Sequence, residues 1–157
     1  MVRKKQKLSP VVLVVDDNPQ NLELLVAYLE DIDCQTIAAS SGLDAMDIVK
    51  KDPPDLILLD VMMPKISGFE VCRRLKNDPK TADIPIIMVT ALNELGDIER
   101  AINSGTDDFL SKPVNKWELI TRVKTMLKLK HLTDKLERTL AYLSEVEKLT
   151  VTVSRPH

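Results

Sequence analysis

The chain has 157 residues, long enough for one full hydrophobic core and short for two. Apolar residues make up 44% and aromatics only 3%, so the core must be aliphatic, and a stacking surface for single-stranded nucleic acid is disfavoured. The 22 basic and 24 acidic residues leave a net charge of -2, which excludes a global electrostatic footprint for DNA or an anionic membrane.

Arg3, Lys4, Lys5 and Lys7 crowd residues 1–9, which read as a solvated, flexible basic tail. Val11 to Val15 is a continuous β-branched-rich run, the mark of a strand buried on both faces. It is too short for a signal-peptide core or a membrane span, so no membrane association is expected and the cytoplasm is the expected location. After a turn at Asp17-Asn18-Pro19, the spacing of Leu22, Leu25, Val26 and Leu29 predicts a helix from Gln20 to Asp31. Cys34 to Ala39 reads as a short strand and Leu43 to Lys50 as a helix, closed by Pro53-Pro54. Cys34 and Cys72 lie far apart with no CxxC spacing and read as reduced thiols rather than a disulfide or metal site.

Leu56 to Leu59 is a second wholly apolar run, followed by a helix from Phe69 to Lys76 that Asn77-Asp78-Pro79 ends. Ile84 to Val89 is a third run, then Ile98 to Asn103 a helix with Gly105 placed to cap it. Phe109-Leu110 is a short strand, and helix resumes from Trp117. Strand and helix thus alternate five times, which predicts a parallel sheet covered by helices on both faces.

The last helix runs on. From Leu119 to about Leu149 there is no Gly or Pro, and Leu129, Leu132, Leu136, Leu143 and Val146 recur at coiled-coil spacing. Thr139 fills the one gap, with Leu140 beside it, and Asp134 and Arg138 stand one turn apart, placed to pair. The stripe suggests a projecting helix that pairs with another helix, the alternative being one folded back on its own domain. Thr150 to His157 is expected to fray.

In an open parallel sheet the ligand site lies beyond the carboxyl ends of the strands. The predicted strands end in Asp16-Asp17, Asp60, Thr90 and Ser111-Lys112, so five functional side chains would converge on one crevice. Taken singly, each has a plain structural reading: Asp17 as a helix cap, Asp60 as a turn cap, Thr90 as a strand end, Lys112 as a solvated charge. Together they call for a cation among the carboxylates, since like charges otherwise raise one another's pKa. An all-oxygen set with room for water and phosphate suits Mg²⁺. One carboxylate can then attack phosphorus, with metal and Lys neutralising the equatorial oxygens and a hydroxyl donating.

These residues resemble the receiver domain of two-component response regulators, through VVLVVDDNPQN, LILLDVMMPKISGFEVCRRLK, IPIIMVTA and GTDDFLSKP, over about Val11 to Lys130. The resemblance implies a flavodoxin-like, doubly wound five-stranded parallel sheet of order 2-1-3-4-5 over residues 10–130. Residues 131–157 would extend the last helix as a coiled coil or as a linker toward an output domain. Asp60 matches the phosphoacceptor, Asp16 and Asp17 the metal pair, and the Met62 backbone carbonyl a further Mg²⁺ ligand. Thr90 matches the switch hydroxyl and Lys112 the phosphate-binding lysine, aimed inward by a cis bond before Pro113. Phe109 matches the switch aromatic, where Tyr is frequent in the family, and its lack of a hydroxyl removes any readout through that oxygen. Ala91 is small and leaves phosphate access open. Met62 and Leu92 flank the entry and are both apolar, so slow self-dephosphorylation is expected.

The implied partners are a sensor histidine kinase or histidine phosphotransfer protein, with a homodimer through the last helix and no direct DNA binding. The implied role is that of a signalling phosphoacceptor rather than an enzyme acting on other substrates. An aspartyl-nucleophile phosphatase would need an acid two residues after Asp60, where Met62 stands. A nucleotide or flavin binder would need a glycine motif, and the four glycines form none. A phosphorylation-independent pseudo-receiver would be expected to have lost one of the five site residues. His131 and His157 lack ligand spacing and read as surface residues.

Overall fold

A computed structural model describes residues 9–91 and 95–154. Residues 1–8, Leu92 and His157 lie outside the described residues. In chain order the elements are β1 (Val11–Val15), α1 (Pro19–Leu29), β2 (Gln35–Ala39), α2 (Gly42–Lys51), β3 (Leu56–Asp60), α3 (Gly68–Lys76), β4 (Ile86–Thr90), α4 (Leu95–Asn103), β5 (Asp108–Ser111) and α5 (Lys116–Ser154). The strands form one parallel sheet of order β2-β1-β3-β4-β5, the expected flavodoxin-like arrangement.

The apolar runs are continuous because both faces of the sheet are covered. Leu13, Val15, Ile57, Leu59, Ile86 and Met88 face a core built with α2, α3 and Ala101 of α4. Their sequence neighbours Val12, Val14, Leu56, Leu58, Ile87 and Val89 face the opposite core, built with α1 and the first turns of α5. Phe109 is half-buried against the first of these cores.

Boundaries differ from the sequence reading where capping decides them. Asn18, not Asp17, caps α1, its side chain accepting from the N–H groups of Gln20 and Asn21. Ser41 and Ser67 cap α2 and α3 in the same way, so each helix starts one residue earlier than periodicity suggests. β4 starts at Ile86 rather than Ile84, since Pro85 has no N–H to give a ladder. Gly105, at φ 92, closes the turn after α4 as expected.

The end of α5 also departs from expectation, remaining helical to Ser154 instead of fraying at Thr150. Over its 39 residues it does not fold back. Leu119, Val123 and Met126 pack against the domain, while at about 100° per residue Leu129, Leu132, Leu136, Leu140 and Leu143 form a separate stripe centred about 100° round the helix. Burial agrees: Val123 is fully buried and those five leucines are exposed. Asp134 pairs with Lys130 at 2.8 Å rather than with Arg138, and the Lys130 side chain is 21% exposed. Among the described residues no helix is long and apolar enough to cross a membrane.

Candidate functional site

Sheet register levels the strand ends. Val15 pairs with Leu59, which sets Asp16 beside Asp60, and Asp60 pairs with Val89, which sets Thr90 one step beyond it. Thr90 in turn pairs with Ser111, so Lys112 leaves β5 at the same rim. The Lys112 N–H donates to the Thr90 carbonyl at 2.8 Å, and the Lys112–Pro113 bond is cis, as the resemblance implied.

Carboxylate oxygens of Asp16, Asp17 and Asp60 lie within 4.8 Å of one another. Asp16 and Asp60 are buried and Asp17 is exposed, so the cluster opens to solvent on one side. The Lys112 ammonium reaches both buried acids, donating to Asp60 Oδ1 at 3.1 Å and Asp16 Oδ2 at 3.2 Å. The other Asp16 oxygen accepts the Asn18 N–H at 2.9 Å, which fixes its rotamer. Because Asn18 does the capping, Asp17 is left to face the cluster.

Burial pushes the Asp60 carboxyl above its ordinary range, and the Asp16 and Asp17 charges push the same way against the Lys112 hydrogen bond. For Lys112, burial disfavours the ammonium, but the bonds and charges of Asp60 and Asp16 outweigh it and hold its pKa above the ordinary value.

The donor set fits a hard divalent cation. An ion with bonds of about 2.1 Å holds its ligands no more than about 4.2 Å apart, a small side-chain rotation from the observed spread. Every donor is oxygen, and the exposed edge leaves room for water. Ala91 and Met62 are exposed at the entry, Met62 at 74%. His131 is exposed and far along α5 from this rim.

Two features escaped the sequence reading. Gly68 opens α3 so close to the acceptor strand that a Cβ there would lie 2.2 Å from the Asp60 carbonyl oxygen. Its N–H and that of Met63 both donate to the Val61 carbonyl, folding the loop after Asp60 tightly. Lys65, within that loop, adopts a left-handed φ of 72. A lone glycine directly after a Ser cap was the available signal.

A doubly wound α/β sheet with an acidic cluster and one lysine at its carboxyl edge has these side chains where the ligand sites of this fold class lie. The sequence model of the response regulator receiver domain matches residues 12–124, and the chain belongs to that family. It is 42% identical over 131 residues to the response regulator PleD of Caulobacter vibrioides, covering 83% of this chain and 29% of PleD. It is 40% identical over 119 residues to the DNA-binding dual master transcriptional regulator RpaA of Synechocystis, covering 76% of this chain and 49% of RpaA. The receiver domain of a signal transduction histidine kinase from Syntrophus aciditrophicus superposes with a TM-score of 0.73 at 36% identity, covering 76% of this chain and 91% of that one. The chain thus spans about half or less of these two curated relatives.

Proposed function

We propose that this receiver accepts a phosphoryl group on Asp60, in a Mg²⁺-dependent transfer from a phosphohistidine of a sensor kinase or phosphotransfer protein. The observation that carries the reading is the convergence of Asp16, Asp17 and Asp60, with Lys112 bridging the two buried acids. An Asp60 carboxylate oxygen forms the new bond to phosphorus, and the phosphorus–nitrogen bond of the donor breaks, its electron pair staying on the imidazole. Asp16, Asp17 and the Met62 carbonyl would hold the ion with Asp60. Bound there, Mg²⁺ offsets the carboxylate charge and the charge on the transferring oxygens.

The chain's own residues do the remainder. Lys112 holds Asp60 in place and follows the charge from carboxylate to phosphoryl oxygen. Thr90, buried one step from Asp60, supplies a hydroxyl to a phosphoryl oxygen and draws its loop inward. Phe109, half-buried against the core, takes the space vacated. Ala91 leaves the approach open.

The partner surface beyond the kinase is the exposed leucine stripe of α5, which pairs with the same stripe of a second copy. The extension from 131 then serves as a connector, and contact with DNA belongs to no part of residues 10–130. The chain acts as a phosphoacceptor and has its place in the cytoplasm. The test is incubation with acetyl phosphate and Mg²⁺, followed by intact mass. Wild type gains one phosphoryl group; Asp60→Asn and an EDTA control gain none. A gain that survives Asp60→Asn removes the reading.

A further inference from the structure

α4 is thinly attached for a helix of this core. α3 buries Gly68, Phe69, Val71, Cys72 and Leu75, whereas among the described side chains of α4 only Ala101 is fully buried, and Ile102 is 61% exposed. Two contacts hold its carboxyl end. Just past the carboxyl end, the buried Ser104 accepts a hydrogen bond from the Cys72 Sγ at 3.3 Å through its carbonyl. One turn earlier, in the last turn of the helix, Arg100 stacks its guanidinium on the Phe69 ring at 4.4 Å.

The stack joins two parts of the site. Phe69 follows Gly68, whose position is fixed against the Asp60 backbone. Arg100 sits on the helix that follows the Thr90 strand end, with only residues 91–94 between them. A displacement of the Thr90 loop relative to Asp60 that carries α4 with it therefore moves Arg100 relative to Phe69.

We propose that the Arg100–Phe69 stack is a latch that holds α4 in the resting arrangement, and that the phosphorylated state requires it to open. The inference rests on the proposed phosphoacceptor role, and it adds a residue pair that sets how readily the switch moves. Removing the cation lowers the cost of opening, so the latch weakens phosphorylation in the resting protein instead of supporting it.

The test uses Arg100→Gln, Arg100→Lys and Phe69→Leu in the full chain. Without phosphodonor, Arg100→Gln accelerates amide hydrogen exchange in α4 by about two- to fivefold, the size expected for losing an exposed cation–π contact, and leaves α3 and α5 unchanged. Arg100→Lys keeps the cation and restores most of the protection. Arg100→Gln added to Phe69→Leu gives no further acceleration. With acetyl phosphate and Mg²⁺, the rate of mass gain in Arg100→Gln rises by the same factor. Wild-type α4 exchange in Arg100→Gln overturns the latch, as does faster exchange with an unchanged rate of mass gain. A wild type that takes up no label instead removes the phosphoacceptor reading, and the exchange arm still decides whether the stack holds α4.

Discussion

Asp60→Asn should stabilise the metal-free protein, although it removes the acceptor. Coulomb's law at an effective dielectric constant of about 20 gives about 3.5 kcal/mol of repulsion for each of the two like-charge pairs Asp60 makes at the 4.8 Å limit of the cluster. The Lys112 contact at 3.1 Å returns about 5.4 kcal/mol on the same scale. The balance is repulsive by about 2 kcal/mol before burial is counted, and burial adds in the same direction. The titration has the matching sign. A carboxyl whose folded pKa lies above its ordinary 3.8 binds protons more tightly when folded, so its contribution to stability falls as pH rises from about that value through the folded pKa.

At neutral pH in EDTA, Asp60→Asn should therefore melt about 3–6 °C above wild type. Added Mg²⁺ should close the gap by stabilising wild type through mass action, with little effect on the variant. Thermal melts in EDTA and at millimolar Mg²⁺ measure both. A variant no more stable than wild type in EDTA, with a wild type indifferent to Mg²⁺, refutes the account of the carboxylates as a mutually repelling cation site.

Gly68→Ala forces a Cβ into the Asp60 carbonyl and should cost about 3 kcal/mol in urea unfolding, since the clash is with backbone that cannot rotate away. Met62→Asn should shorten the lifetime of the phosphorylated form several-fold, because an amide at this exposed position can orient a water that a thioether cannot; loss of label followed by intact mass reads it. Leu136→Lys places a charge in the middle of the outward stripe and should abolish concentration-dependent association in sizing chromatography while leaving the melting temperature within about 1 °C, as its side chain is 58% exposed in the single chain.

Most of the fold was legible because its signals are local. Runs such as Leu56 to Leu59 have no polar residue to mark a solvent face, so a doubly covered sheet was the available reading, and the residues ending those runs converge as the topology requires. What was not legible depends on through-space proximity. Periodicity could not place the α1 cap on Asn18 in preference to Asp17, because both residue types cap helices and only the turn geometry separates them. Gly68 carries its reason in the 2.2 Å approach to a residue eight positions away. The partner of Asp134 is a similar case: Lys130 and Arg138 are each four positions from it, and spacing does not separate them.

The uninterrupted course of α5 has a mechanical consequence. Its first residue stands four positions after Lys112, and its 39 residues at about 1.5 Å each make a rod of about 58 Å. A tilt of about 5° at Lys116 sweeps the far tip through about 5 Å on that length, roughly the spacing of one helical turn. Geometry alone lets an adjustment too small to disturb the sheet become a displacement that another molecule can feel.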